Sequence, residues 1–318
     1  MEAVHTPRIG IIGTGAIGGF YGMLLARAGL DVHFLLRSEF AAVTERGLQL
    51  HSAVHGELTL NPVQAYASAE DMPPCDWLLV GAKTTSNAEL APAILRAAAP
   101  GAKVLLLQNG LDVEDGLRDL LPDSLHLLGG LCFICVHRAG PGVIEHQALG
   151  AVNLGYHSGP AAQDESQRQA IVEEGAALFR KASIDSQAMA NLQQARWQKL
   201  VWNVPYNGLS VLLNASTTPL MADADSRELI QALMREVVQG ALACGHSMPD
   251  GYAEHLFKVT ESMPDYWPSM YHDYRHKRAL ELSAIYAAPL AAARAAGCEL
   301  PKMEALYRTL SFIDRHNV

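Results

Sequence analysis

Short hydrophobic runs alternate with amphipathic stretches through the first half of the chain. The runs have the length of buried strands, and the stretches between them carry hydrophobic residues at helical spacing. Such alternation is typical of βαβ units, whose strands lie parallel in one sheet. The pattern predicts strands over residues 8–12, 32–36, 77–81 and 103–107, and helices over residues 16–28, 39–46 and 87–98, the last ended by Pro100-Gly101.

The pattern changes after residue 125, where glycine-rich turns separate the hydrophobic runs. Runs at 125–136, 142–146 and 152–156 predict antiparallel strands that close the sheet. A helix is expected over 164–181, and beyond residue 190 helical periodicity continues almost throughout. We therefore expect an α/β fold with two domains: residues 1–190 around a mostly parallel sheet, and residues 191–318 as an all-helical domain.

The composition agrees with ordinary globular domains. The 318 residues are 49% hydrophobic, 18% charged and 7% aromatic, which excludes disordered, collagenous and coiled-coil proteins. A net charge of -9 argues against nucleic acid as a partner, because duplex binding draws its affinity from phosphate neutralisation. Neither a signal-peptide pattern nor an uncharged run of about 18 residues is found, so we expect a cytoplasmic protein with no membrane segment.

Cysteine and histidine offer two candidate redox or metal motifs. The five cysteines do not suit a disulfide framework. Cys132 and Cys135 form a C-x-x-C motif, but in a buried strand residues three apart face opposite sides, so we interpret them as core thiols. His272 and His276 have one-turn helical spacing, but no second motif supplies a third ligand, and we expect no metal.

A glycine motif joins the first strand to the first helix. Gly13, Gly15 and Gly18 form G-x-G-x-x-G between them. The first glycine permits a tight turn, the second lets the backbone approach a pyrophosphate, and the third allows the helix to pack closely. Free N–H groups at the helix N-terminus attract the anion. The motif predicts a Rossmann-type dinucleotide-binding domain. The expected cofactor contacts are Gly13, Thr14, Gly15, Ala16, Ile17 and Gly18.

The end of the second strand distinguishes the two nicotinamide cofactors. An acid there binds the ribose 2′-hydroxyl of NAD, whereas a cation suits the 2′-phosphate of NADP. The strand ends in Arg37, and the nearest acid, Glu39, follows the turn, where it favours the helix dipole. The pattern favours NADPH, with an ordinary surface arginine at position 37 as the alternative.

Two further polar groups follow hydrophobic strands. Lys83 follows one strand, and the run Gln108-Asn109-Gly110 follows the next. The carboxyl ends of parallel strands form the edge at which open α/β sheets bind ligands. We expect Lys83 and Asn109 near the cofactor, with a simple Asn-Gly turn as the alternative.

The helical half opens with polar residues at helical spacing. Lys199, Asn203 and Asn207 are each four residues apart, so they share one face between hydrophobic positions. An ammonium group and amides beside a hydrophobic stripe suit the positioning and protonation of a carbonyl. A solvated face on a surface helix is the alternative, and Pro205 predicts a kink before Asn207.

Nearer the C-terminus, a run from Pro268 to Asp273 leads into an expected helix that also carries Glu281. Basic residues surround both acids. By themselves, Asp273 and Glu281 are interpreted as charges on a helix surface.

In order along the chain, these motifs resemble the ketopantoate reductase (2-dehydropantoate 2-reductase) family. The resemblance covers almost the whole sequence. It runs from the glycine turn through Arg37, Lys83 and Asn109-Gly110 to the K-x-x-x-N-x-x-x-N run at 199–207 and S-M-x-x-D with its glutamate at 269–281. It implies a Rossmann domain and a helical domain, NADPH, and reduction of a small 2-oxo acid in pantothenate synthesis. A homodimer is left open.

The resemblance also implies roles for the matching residues. Lys199 looks like the general acid, Ser269 like a contact for the substrate carboxylate, and Glu281 like the acceptor for the substrate hydroxyl. Asn109 and Asn203 look like residues that position the acid and the substrate. By this resemblance the catalytic residues are Lys199, Glu281, Asn109 and Asn203, and the substrate-binding residues are Asn203, Asn207, Ser269 and Glu281.

The chain departs from the family pattern on the substrate side. Leu280, Ala287 and Gly208 stand where the family usually has Thr, Gly and Pro, and Pro205 and Pro268 also differ. The expected fold and cofactor do not depend on these positions, whereas the identity of the keto acid does. A related NADP-dependent hydroxy-acid dehydrogenase and a non-catalytic dinucleotide-binding module are the alternatives.

Overall fold

The computed structural model describes residues 6–317, which divide into two compact units. The first unit consists of the residues up to Gln108 together with Val113–Leu192, and the second of Asn109–Asp112 together with the residues from Gln193 onward. The sequence pattern placed the domain boundary near residue 191, where helical periodicity takes over, so residues 109–112 were expected in the first domain. Their contacts group them with the helical second unit instead.

The first unit is built on one sheet, flanked by helices. Its strands are β1 (Arg8–Ile12), β2 (Asp31–Leu35), β3 (Leu48–Ser52), β4 (Gly56–Leu60), β5 (Ala65–Tyr66), β6 (Cys75–Val80), β7 (Ala98–Leu106), β8 (His126–Gly140), β9 (Val143–Ser158) and β10 (Ala188–Met189). Its helices are α1 (Ala16–Arg27), α2 (Phe40–Arg46), α3 (Asn87–Ala97), α4 (Asp115–Arg118) and α5 (Glu165–Lys181).

The strand order is β4-β3-β9-β8-β7-β6-β1-β2-β5, with β10 paired to β9. Among the described strands every pairing is parallel except β3 with β4 and β8 with β9. The expected α/β fold with a mostly parallel sheet is therefore confirmed, and so is the antiparallel pair that follows residue 125.

Several strand predictions were wrong in detail. Strands β3, β4, β5 and β10 were not predicted; β3, for example, pairs with the distant β9, and no local pattern marks such a partner. β9 was predicted as two strands, but Leu149 and Gly150, with φ of 65° and 136°, form an irregularity inside one strand rather than a turn. Pro100-Gly101 was expected to end α3. Instead, α3 already ends at Ala97, and Pro100 and Gly101 lie within β7.

Helix α1 is hydrophobic on nearly all sides, which is typical of a buried helix. It packs on β1, β2, β8 and β9. Its side chains Phe20, Tyr21 and Leu24 are fully buried in a core that also contains Phe34 and Trp77. This packing fixes the start of α1 against the end of β1, where the glycine motif lies.

The second unit is helical. Its helices are α6 (Leu192–Leu213), α7 (Thr217–Ala222), α8 (Ala224–Ala243), α9 (Tyr252–Ser262), α10 (Ser269–Arg275), α11 (Ala288–Ala295) and α12 (Pro301–Asn317), with a π-helical segment, Ser283–Ala287, leading into α11. Trp197, Tyr206 and Tyr286 are fully buried in its core. Within residues 6–317, no helix has the length and hydrophobicity needed to cross a membrane.

α6 includes Pro205, and Val204 and Tyr206 on either side of it are fully buried. One expectation for this unit was wrong. The helix that begins at Ser269 does not reach Glu281. It ends at Arg275, Lys277 follows with a φ of 53°, and Glu281 lies just before the next helical segment.

Candidate active site

The turn between β1 and α1 requires glycine at two positions. Gly13 has a φ of +87°, and a Cβ there would lie 2.7 Å from the backbone nitrogen of Ala82. A Cβ at Gly18 would overlap the Gly13 carbonyl oxygen. Gly81, at the end of β6, approaches just as closely, since its Cβ would lie 2.7 Å from the Gly18 nitrogen. The three backbones pack so tightly that side chains are excluded.

The N-terminus of α1 is suited to an anion. Gly15 is the N-cap, no side chain among the described residues caps the helix, and its first turn contains no acid. A Cβ on Gly15 would meet nothing within 4 Å in the described chain, so the space above the turn is open. Thr14 is held away by its hydroxyl, which donates to the Leu35 carbonyl at 3.1 Å. The first N–H groups of α1, which no side chain caps, fit the pyrophosphate of a dinucleotide.

Arg37 and Glu39 differ sharply in what their side chains do. The Arg37 side chain is 79% exposed, and its ion pair with Glu89, at 3.8 Å, is also exposed and therefore weak. Glu39 is buried at the N-cap of α2, where its carboxylate pairs with Arg138 and accepts from the Gly142 N–H at 2.8 Å. Glu39 therefore anchors the turn between β8 and β9. The sequence had predicted only a favourable interaction with the helix dipole.

Lys83 and Gln108 follow the ends of β6 and β7, as predicted. Lys83 is half-buried and begins a short 3₁₀ turn. Gln108 is buried, and its amide exchanges hydrogen bonds with Asn87, at 3.1 and 2.6 Å, and donates to the Ala82 carbonyl at 2.9 Å. These bonds fix the backbone immediately before Asn109, which is half-buried and belongs to the second unit.

In the second unit, the segment Asn109–Asp112 lies between α6 and the π-helical segment. Arg196 on α6 donates from Nη1 to the Gly110 carbonyl at 3.0 Å. The Leu111 N–H donates to the Ala284 carbonyl at 2.8 Å. Asn109 thus begins a segment that is bound on both sides.

The polar row on α6 is not a solvated face. Asn203 and Asn207 are only 5% and 2% exposed, and Lys199 is half-buried. The Nδ2 atom of Asn203 has no hydrogen-bond partner among residues 6–317. Asn207 accepts from the Met270 N–H at 3.4 Å, which brings the row next to Ser269 at the start of α10. The face therefore presents polar groups inside the protein, and one of them has no partner within the described part of the chain.

Asp273 and Glu281 are buried, so the interpretation as charges on a helix surface was wrong. Asp273 is 2% exposed and receives the Nε–H of Arg278 at 3.1 Å. Glu281 is 4% exposed, in the same unit as the α6 row. Burial of a carboxylate is costly unless polar partners surround it, which is typical of a functional or tightly structured site.

Sequence reasoning missed Arg196 and Tyr286. Arg196 is a buried cation between the buried residues Ala195 and Trp197, three residues before Lys199. An arginine three residues before the motif lysine, and therefore on the same helix face, was the available signal. Tyr286 carried no such signal, because its hydroxyl bonds to the Val204 carbonyl, at 2.8 Å, only after folding.

Comparison with known proteins gives the family. A profile described as "Ketopantoate reductase PanE/ApbA" matches residues 9–159, and one described as "Ketopantoate reductase PanE/ApbA C terminal" matches residues 191–314. The chain belongs to the ketopantoate reductase family. The 2-dehydropantoate 2-reductase of Nostoc sp. (strain PCC 7120 / SAG 25.82 / UTEX 2576) is 41% identical over 318 residues, which cover 99% of this chain and 97% of the relative.

Solved structures share the fold over almost the whole chain. The 2-dehydropantoate 2-reductase from Geobacter metallireducens GS-15 is 37% identical, has a TM-score of 0.88 and is matched over 98% of this chain and 100% of its own. A ternary structure of D-mandelate dehydrogenase with NADH and anilino(oxo)acetate has a TM-score of 0.85 at 19% identity over 98% of this chain and 99% of its own, which shows a common fold alone. As a ketopantoate reductase family member, the chain is a dinucleotide-binding oxidoreductase, and the resemblance that the motifs indicated is confirmed.

Proposed function

We propose that this chain reduces 2-dehydropantoate (ketopantoate) to pantoate, or reduces a closely related small 2-oxo acid, with NADPH as electron donor and Lys199 as general acid. The observation that carries the proposal is the buried polar row on α6, where the Asn203 amide nitrogen lacks a partner among the described residues. A buried unpaired amide costs stability unless a ligand satisfies it. The 41% identity to a protein named 2-dehydropantoate 2-reductase supports this class of ligand.

The cofactor is held by the first unit. Residues 13–18 bind the pyrophosphate through the uncapped N-terminus of α1. The exposed guanidinium of Arg37 binds the 2′-phosphate, for which its planar fork is suited, and Glu39 is too deeply engaged to bind a ribose hydroxyl. Lys83 contacts the nicotinamide half. When bound, NADPH supplies the hydride for the keto carbon.

Lys199 protonates the keto oxygen. Negative charge develops on that oxygen during reduction, and an ammonium group can both stabilise the charge and donate the proton from Nζ. Half-burial of Lys199 strengthens this interaction, because fewer water molecules screen it. Asn203, one turn further along the same face, donates its unpartnered amide to the substrate, and Asn109 orients Lys199.

The substrate's other groups are recognised by Asn207, Ser269 and Glu281. Asn207 and Ser269 lie together at the start of α10, where the Ser269 hydroxyl donates to the substrate carboxylate. The buried carboxylate of Glu281 accepts from a substrate hydroxyl. Ketopantoate carries such a hydroxyl on a hydroxymethyl group, and 2-oxoisovalerate has a hydrogen in place of that group. A site that hydrogen-bonds a substrate hydroxyl discriminates against analogues that lack it, because they lose that hydrogen bond.

The departures from the family pattern lie beside these residues. Leu280 directly precedes Glu281; its side chain is buried, and its N–H donates to Asp314 at 3.0 Å. Gly208 directly follows Asn207. Both positions therefore affect which keto acid fits the site. For this reason a related hydroxy-acid dehydrogenase is the alternative enzyme.

The test is a panel of 2-oxo acids assayed by the absorbance loss of the reduced nicotinamide, with NADPH and NADH in parallel. The panel contains ketopantoate, 2-oxoisovalerate and phenylglyoxylate. Lys199→Ala is compared with Lys258→Ala, which removes an exposed lysine from α9 of the same unit.

We expect ketopantoate with NADPH to give the highest kcat/KM, Lys199→Ala to abolish most of it, and Lys258→Ala to leave it unchanged. A preference for phenylglyoxylate or 2-oxoisovalerate would support the related hydroxy-acid dehydrogenase. Tight NADPH binding with no turnover of any acid would support the non-catalytic module.

A further inference from the structure

The segment Asn109–Asp112, here called the strap, is held at three points within the second unit. The guanidinium of Arg196 donates to the Gly110 carbonyl at 3.0 Å, in a buried contact. The Leu111 N–H donates to the Ala284 carbonyl at 2.8 Å. At the far end, the side-chain amide of Gln193 donates to the Asp112 carboxylate at 3.3 Å. The strap is therefore tied to α6 on one side and to the π-helical segment on the other.

Both ties lie close to residues of the proposed reaction. Arg196 is three residues before Lys199, so the two side chains share one helix face. Ala284 is three residues after Glu281. The strap itself starts with Asn109. One short segment thus connects the proton donor, the residue that orients it and the acceptor for the substrate hydroxyl.

The strap fits its place closely. Gly110 has a φ of +108°, a conformation that residues with a side chain rarely adopt. A Cβ at this position would lie 2.6 Å from the backbone carbon of Ala284, so the strap already touches the π-helical segment with its backbone. Any shift of the strap therefore has to move either α6 or the segment that follows Glu281.

The hydrogen bond from Arg196 to the Gly110 carbonyl requires the burial of a charged side chain. Arg196 is 2% exposed, and a buried cation is tolerated only when its N–H groups are used. A hydrophobic residue at this helix position would pack without that cost. The guanidinium, however, gives a rigid donor that holds a carbonyl at a defined distance and direction.

We propose that Arg196 is a positioning residue that, by holding the Gly110 carbonyl, sets the position of Asn109 relative to Lys199. The inference rests on the proposed function of Lys199 and Asn109. Displacement of a reacting group by about 1 Å can cost as much as about a hundredfold in rate, so loss of the tie should reduce kcat much more than substrate binding.

The experiment compares Arg196→Met, Arg196→Lys and Arg227→Met with the wild type. Arg227 is the control, because its Nη1 also donates to a backbone carbonyl in this unit at 3.0 Å, that of Met221, which lies outside the strap. For each protein, kcat and KM for ketopantoate, the Kd for NADPH, and the hydrogen-exchange rate of the Leu111 amide are measured.

Arg196→Met should lower kcat by about tenfold to a hundredfold, with KM and the NADPH Kd changed by less than about threefold. Leu111 should exchange at least about tenfold faster, because the strap opens more easily without its charged hydrogen bond. Arg196→Lys, which keeps a cationic donor but loses the rigid guanidinium fork, should recover only part of kcat. Arg227→Met should leave kcat and Leu111 exchange unchanged, although it loses a structural contact.

Two results separate this inference from the proposed function. A wild type that reduces none of the acids overturns the proposed function. An active wild type whose Arg196→Met variant retains kcat, or exchanges Leu111 at the wild-type rate, overturns the positioning role and leaves the proposed function intact.

Discussion

Replacement of Gly208 by alanine should displace the Tyr286 hydroxyl from helix α6. That hydroxyl is fully buried, donates to the Val204 carbonyl at 2.8 Å, and occupies the space that a Cβ at Gly208 would need. The Gly208 N–H interacts with the same oxygen, although burial still raises the pKa of Tyr286 far above its usual value. Gly208 and Tyr286 therefore form a matched pair beside the proposed substrate residues.

The expected size of each effect follows from general magnitudes for overpacking, helix propensity and hydrogen bonds. Overpacking a buried site costs about 1–3 kcal/mol, while alanine improves the helix propensity of the position by about 1 kcal/mol, so Gly208→Ala should cost about 0–2 kcal/mol. Tyr286→Phe removes the hydroxyl and its hydrogen bond, at about 0.5–1.5 kcal/mol. In the double variant the oxygen is gone, and the new Cβ meets mainly the flexible end of Leu306, at 2.8 Å.

The free energy of unfolding of the double variant should therefore be about 1–2 kcal/mol higher than the sum of the two single effects predicts. The free energies of unfolding in urea give this coupling energy. Gly240→Ala combined with Tyr286→Phe is the control, since Gly240 also packs inside a helix but faces Leu300, at 3.0 Å, instead of a hydroxyl. The effects of the control pair on the free energy of unfolding should add to within about 0.5 kcal/mol. If the effects of Gly208→Ala and Tyr286→Phe add equally well, the matched-pair reasoning is refuted.

Four further outcomes are expected. Arg37→Ala should weaken NADPH binding by about 1.5–3 kcal/mol and barely alter NADH binding, as measured by titration; equal losses would place the 2′-phosphate elsewhere. Lys199→Ala should lower turnover at least about a hundredfold with NADPH affinity retained, and a loss below about tenfold would contradict an acid role. Glu281→Ala should reduce kcat/KM for ketopantoate far more than for 2-oxoisovalerate, whereas equal losses would indicate a structural role. Burial lowers the pKa of His146, so the unfolded state takes up protons first and the free energy of unfolding should decrease as the pH falls below about 6.5; a slope that His146→Gln leaves unchanged would disprove this contribution.

The features that the sequence predicted well depend on neighbouring residues. β1 has the predicted bounds, Arg8–Ile12, and α1 starts at the predicted Ala16 and ends one residue early. The glycine turn between them was recognisable because its constraint is steric and acts within a few residues, as with the positive φ of Gly13. The spacing of the α6 residues was equally readable, since helix geometry alone puts Lys199, Asn203 and Asn207 on one face.

Spacing could not show whether that face is solvated or buried. A surface helix and a ligand-lined helix have the same period, and only the packing around α6 left the Asn203 amide buried without a partner in the described chain. The same holds for Glu281. Its basic neighbours in sequence suggested a solvated charge, whereas the backbone after Arg275 leaves the helix and returns Glu281 to the interior.

The strap shows most clearly what only the tertiary structure decided. Its sequence, Asn109-Gly110-Leu111-Asp112, is that of an ordinary turn after a strand, and the domain boundary was expected far beyond it. It belongs to the helical unit, where it is hydrogen-bonded to Arg196 and Ala284, more than eighty residues away along the chain. Such contacts form because buried carbonyl and N–H groups must find partners wherever the folded chain supplies them, and local sequence carries no record of which distant residue that is.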